Sequence, residues 1–136
     1  MTVMWPEPVE RIAAFLRQSE AHGRLEELPA GVDTPPGPAV RAETYDCDGR
    51  TLVALVPADA DVDRSRLARR AGCSELRPAP ARAFPYQGTR VLVERSLLPV
   101  RTAWLEAGSP RHVLGLSPSQ IVRLTRAETG NFLLSD

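Results

Sequence analysis

The stretch LEAGSPRHVLGLSPSQIVRL (105–124) places two strand-like pieces, a glycine turn and a helix start in succession. The flanking runs RTAWLEA (101–107) and RHVLGL (111–116) carry β-branched and aromatic residues on either side of Gly108, the pattern of a hairpin. Ser117 then stands as an N-cap, Pro118 at the first helical position and Gln120 at the third. Ile121, Val122 and Leu124 follow as the apolar side of a capped helix. A hairpin that runs directly into a capped helix predicts strands and helices around one core, an α+β fold. The bend itself, Gly108 to His112, reads equally as a ligand-gripping loop or as a plain turn.

Working outward, VRAETYD (40–46) and RTLVALVPAD (50–59) predict a second hairpin turning at Asp48-Gly49. Its second arm holds Leu52 to Val56 as a nearly unbroken apolar run, as a strand covered on both faces requires. Asp63 caps a predicted helix, RSRLARRAG (64–72), with Leu67, Ala68 and Ala71 inward and Gly72 as terminator. Near the start, Val9, Ile12, Ala13 and Leu16 fall at helical spacing and predict an amphipathic helix ending near His22-Gly23. RLEELP (24–29) and TRVLVE (89–94) read as further strands. AGVDTPPGPA (30–39) and ELRPAPARAFPYQG (75–88) are broken by proline and read as loops. The sum is one mixed central sheet of about five to seven strands with about three flanking helices.

The 136 residues, 43% hydrophobic and 25% charged, suit one compact domain with a real core. No apolar run is long enough for a membrane span, and MTVMWPEPVERIAAF lacks a basic leader, so a cytoplasmic protein is expected. Cys47 and Cys73 stand alone, without metal-ligand spacing, and are expected to stay reduced as small, partly buried side chains. No metal or cofactor is expected. All 17 basic residues are arginine, so no lysine ammonium is available as base, nucleophile or anchor. The zero net charge hides an asymmetry: residues 1–63 carry 5 Arg against 12 acids, and residues 64–126 carry 12 Arg against 3 Glu. Such a basic half can meet a phosphate backbone or be neutralised internally, and internal neutralisation is slightly favoured.

Hydrolytic and nucleotide-binding signatures are missing: there is no Gly-x-Ser-x-Gly elbow, P-loop or His-Glu-x-x-His. His22 reads as a helix-end cap, and His112 as a strand-start side chain that either faces a pocket or stands at a rim toward solvent. Arg41 opens a strand directly after a proline-rich loop. There its guanidinium either clamps a carboxylate or phosphate in a cleft or pairs with Glu43 at the strand edge. AFPYQG (83–88) sets Phe84, Tyr86 and Gly88 around Pro85, either to stack a base and approach a ligand by backbone or to anchor the loop on the core.

Taken in order, GRTLVALVPADADVDRSRLARRAGCSEL, RVLVERSLL and WLEAGSPRHVLGLSPSQIVRLTRAE resemble the YbaK/ProX-type aminoacyl-tRNA deacylases, relatives of the editing domain of bacterial prolyl-tRNA synthetases. The resemblance is best over 40–132 and implies a single editing domain spanning 1–136. It implies a pocket that accepts the aminoacylated terminal adenosine of a mischarged tRNA and hydrolyses the ester. Relatives use a lysine on the first hairpin strand and a Gly-x-x-x-Pro loop. Here Arg41 takes the lysine's place, Ala81 the glycine's and Pro85 the proline's. The family's pocket-wall helix is compressed into DTPPGPA (33–39). Site residues implied are Arg41 as the catalytic position, with Ala81, Pro85, Tyr86, Gly88, Gly108, Ser109 and His112 around the substrate. Arg64, Arg66, Arg69 and Arg70 are the expected tRNA contacts. The alternative is a degenerate editing fold that binds tRNA, a nucleotide or a protein partner without hydrolysis.

Overall fold

The computed structural model describes residues 5–134; MTVM, the start of the segment read for a leader, lies outside them, as does Asp136. In chain order the elements are α1 (Glu7–Gln18), β1 (Arg24–Glu27), β2 (Val40–Cys47), β3 (Arg50–Pro57), α2 (Arg64–Ala71), β4 (Leu76–Pro78), β5 (Arg90–Glu94), β6 (Ala103–Glu106), β7 (His112–Leu116), α3 (Pro118–Thr125) and β8 (Glu128–Gly130). The α+β class and the three helices are as the sequence predicts. No helix among the described residues is long and apolar enough to cross a membrane.

The strands divide between two sheets rather than forming one. β1-β7-β6 is antiparallel, and β4-β2-β3-β5-β8 is mixed, with β3, β5 and β8 mutually parallel. The division follows from β3 and β5 being apolar on both faces, which obliges cover on both sides. On one face Leu52, Ala54, Val56 and Leu92 pack with Leu67 and Ala71 of α2 and with Phe132. On the other, Val53, Leu55, Val91 and Val93 meet Ile12 and Leu16 of α1, Ile121 of α3 and Leu105, Leu114 and Leu116 of the small sheet. The small sheet and two helices together supply the second layer.

Local signals fix the helix ends. Asp63 accepts from the Arg66 amide at 3.1 Å and Gly72 takes φ +77°, so α2 begins and ends where its caps predict. Ser117 accepts from the Gln120 amide at 3.3 Å, but the Gln120 side chain turns to Arg123 instead of completing a capping box. α1 stops at Gln18, with the Ser19 and Ala21 amides returning to Phe15 and Leu16. His22 lies exposed beyond the helix and is not its cap.

β4 and β8 were not expected. Each is three residues long, and pairing with β2 or β5 holds it in place, which no hydrophobic pattern of its own reveals. The cysteines also correct the sequence reading: Cys47 and Cys73 form a disulfide, with Cα atoms 5.4 Å apart. The fold lays the end of β2 beside the end of α2. There Asp48 also accepts the Ser74 amide and hydroxyl, each at 2.8 Å, and the Glu75 amide at 3.0 Å.

Candidate functional site

Beyond their shared core, the backbones of the two sheets are joined by a bridge, Ala39 beside Trp104, where the Trp104 amide donates to the Pro38 carbonyl at 2.9 Å. Past that bridge β2 and β6 part, and a cleft of about 500 Å³ opens between them. Val40–Ala42 of β2 and Ala58 form one side, and Glu106 and Gly108 the other. The 81–84 segment and Tyr86 of the proline-broken loop complete it. Of the residues picked from sequence, the structure therefore brings together Arg41, Ala81, Tyr86 and Gly108. Pro85 borders two neighbouring hollows of about 340 and 450 Å³, and Gly88 the larger of them.

Ser109 and His112 border none of these spaces. The Ser109 hydroxyl sits 2.6 Å from His112 Nδ1 and accepts from the Arg111 amide at 3.0 Å, so both side chains tie the hairpin bend to itself. The His112 ring is buried edge-on to Trp5, with centroids 5.4 Å apart, and its Nε2 lies 3.5 Å from the Glu27 carboxylate. The turn is a structural bend whose one contribution to the cleft is Gly108. That residue has φ +87°, and a Cβ there would come within 2.9 Å of the Pro8 carbonyl carbon and the Val9 nitrogen. Only glycine lets the start of α1 close against the turn.

Arg41 borders the cleft, but its guanidinium is occupied. Nε donates to Glu43 at 2.9 Å, one terminal nitrogen to the Ala58 carbonyl at 2.9 Å, and the other to the Ala60 carbonyl at 2.8 Å and to Glu43. Strand alternation explains this outcome. Arg41, Glu43 and Tyr45 pair with Val56, Ala54 and Leu52, which face α2, whereas Val40 and Ala42 lie on the opposite face. The β2 residue in register with the cleft face is thus Ala42. Tyr45 also donates to Glu43. Burial pushes the Glu43 carboxyl up, but the hydrogen bonds from Tyr45 and Arg41 and the charges of Arg41 and Arg64 outweigh it and hold the group below its ordinary value. Burial, then the hydrogen bond and charge of Glu43, push the Tyr45 phenol up to about 12.

The loop keeps part of its backbone in turn hydrogen bonds. Within it the Tyr86 amide returns to the Ala83 carbonyl at 2.8 Å and the Thr89 amide to the Tyr86 carbonyl at 3.2 Å. The amides of Ala81, Arg82 and Ala83 take no protein acceptor among the described residues, and all three residues border the cleft. Phe84 and Tyr86 stack edge-on and are buried, so these aromatics anchor the loop to the core. Burial, and after it the Glu106 charge, raise the Tyr86 phenol above its ordinary value, so it stays protonated.

Sequence reasoning passed over Glu106, Arg82, Ala42 and Ala58. Glu106 lies in the quoted stretch but carries no spacing signal. Only the parting of β2 and β6 makes it a cleft residue.

The arginines of α2 stand on the far face of the five-stranded sheet from the Phe84 and Tyr86 side of the cleft. Arg64 lies over the Tyr45 ring at 5.6 Å, Arg66 reaches the Leu133 carbonyl at 3.3 Å, and Arg70 donates to the Thr129 carbonyl at 2.9 Å. Arg66, Arg69 and Arg70 line an open hollow of about 400 Å³ with Asn131. Internal neutralisation is mostly local: of the described Arg–carboxylate pairs, Arg66–Asp63 and Arg111–Asp33, each at 3.6 Å, join the basic and acidic segments.

No protein-family model matches the chain, and no curated protein matches its sequence. Solved structures do match. A candidate trans-editing enzyme for prolyl-tRNA synthetase superimposes with a TM-score of 0.82 at 18% identity, covering 97% of this chain and 100% of that one. The fold is YbaK-like. A scaffold protein used for epitope backbone grafting gives the same values. Part of a longer chain, a signal transduction protein candidate from Marinobacter aquaeolei VT8, superimposes at TM-score 0.72 and 19% identity, covering 97% of this chain and 31% of that one.

Proposed function

We propose that the protein is a trans-editing aminoacyl-tRNA deacylase whose substrate end, the aminoacylated terminal adenosine of a mischarged tRNA, enters the cleft between β2, the 81–86 segment and Gly108. The observation that carries this reading is the open cleft, in a YbaK-like fold, bordered by Ala81, Arg82 and Ala83, whose amides take no protein acceptor among the described residues. In the reaction, water oxygen bonds to the ester carbonyl carbon, the bond from that carbon to the ribose oxygen breaks, and the ribose hydroxyl recovers a proton as the water gives one up. Charge develops on the carbonyl oxygen, where backbone donors fixed in advance act without reorganisation. Holding ester and water together supplies the remaining advantage. With no lysine in the chain and Arg41 occupied, the chemistry rests on backbone and on positioning. The arginines of α2 would contact a part of the tRNA remote from the terminus in the cleft.

Incubation with a panel of mischarged tRNAs tests the proposal: ester loss above the buffer rate for at least one supports it, and loss at the buffer rate for all overturns it. The committed guanidinium of Arg41 favours a second reading, a protein that binds tRNA, a nucleotide or a protein partner without hydrolysis. That reading predicts binding with no ester loss. Where tRNA is the ligand, affinity falls steeply with added salt as phosphate contacts are screened.

A further inference from the structure

We propose that Glu106 is the specificity residue of the cleft, binding the free α-ammonium of an aminoacyl ester and excluding esters whose nitrogen is acylated. This inference rests on the deacylase function proposed above and names what that site selects. Glu106 ends β6, where its strand parts from β2; it is exposed and borders the cleft. It is the one carboxylate bordering that space, and it takes no hydrogen bond or ion pair among the described residues. Glu43, the nearest acid along β2, is committed to Arg41 and Tyr45. Arg82 also borders the cleft, with a single long contact of 3.5 Å to the Thr51 hydroxyl. The cleft thus offers one uncommitted anion and one nearly uncommitted cation, complementary to a ligand that carries an ammonium and a phosphate.

An aminoacylated nucleotide has that pair. Its ammonium lies one carbon from the ester carbonyl, so a carboxylate that anchors the nitrogen also limits where the reacting carbon can sit. The influence of Glu106 on the Tyr86 phenol places its charge within reach of the loop that shapes the cleft. A charge-assisted hydrogen bond at a half-wet site corresponds to about tenfold in affinity.

The test uses stable 3′-amide analogues of aminoacyl-adenosine 5′-monophosphate in calorimetric titrations, one with a free amine and one N-acetylated. Wild type is expected to bind the free amine about tenfold more tightly. Glu106→Gln, which keeps size and removes charge, should erase that preference by weakening only the free-amine analogue, and Glu106→Asp should retain part of it. Equal binding of both analogues by wild type, or equal weakening of both by Glu106→Gln, overturns the role of Glu106 and leaves the deacylase function standing. Binding of neither analogue removes both together.

Discussion

Arg41 and Ala42 show how one position along a strand decides between clamp and cleft. Arg41 holds Glu43 and two carbonyls of the loop between β3 and α2, and Ala42 stands on the cleft face. A lysine at 41 should therefore lower stability by about 1–2 kcal/mol, because an ammonium lacks the fork, and should gain no activity. Ala42→Lys should instead raise ester hydrolysis, by about tenfold if the new ammonium meets developing charge. Initial rates and thermal melts of both variants check this pair of outcomes. The depressed Glu43 carboxyl adds a pH dependence. Its stabilisation is complete above the ordinary value of about 4.5 and fades as pH falls through the lower folded value. The Tm gap between wild type and Glu43→Gln should thus be widest near neutrality and narrow below about pH 4.5. At the turn, Gly108→Ala meets both a left-handed φ and the α1 backbone. It should cost about 2–3 kcal/mol, visible as a lower urea midpoint.

Among the elements, those with an internal signal were legible and those held by partners were not. Asp63, Gly72 and Ser117 mark helix ends because their caps are local hydrogen bonds and turns. The hairpin arms β2 and β3 were legible because a buried strand writes its burial into its own residues. β4 and β8 take their geometry from the strands beside them, so three residues such as Leu76–Pro78 look like loop. The Cys47–Cys73 bond is a tertiary fact of the same kind, since nothing within either segment states that the end of β2 meets the end of α2. That bond closes a loop across 26 positions, and a Cys47→Ala/Cys73→Ala variant should lose about 3 kcal/mol. Asp48 keeps its three hydrogen bonds to Ser74 and Glu75, so the variant should remain folded, with a lower denaturation midpoint and an unchanged circular dichroism spectrum.

At the scale of the molecule, the family resemblance predicted the fold from about residue 40 onward, and the loop it singled out borders the cleft at 81–84 and Tyr86. Which side chains border the cleft depends on strand register and on the packing of the two sheets, which those motifs do not carry. His112 and Ser109 were attractive by position but belong to the hairpin's own bonding, and Glu106 emerged only when two sheets were seen to part. The proposed deacylase activity places hydrolysis of an aminoacyl ester in this cleft. Ala42 is exposed on its β2 side, so Ala42→Trp should fill the space without entering the core. The most direct measurement is the rate of ester loss from a mischarged tRNA with wild type and with Ala42→Trp, at matched thermal stability. Wild type should exceed the buffer rate, and the filled cleft should fall below it by at least about tenfold. Equal rates for the two proteins, or a wild type no faster than buffer, would contradict the account.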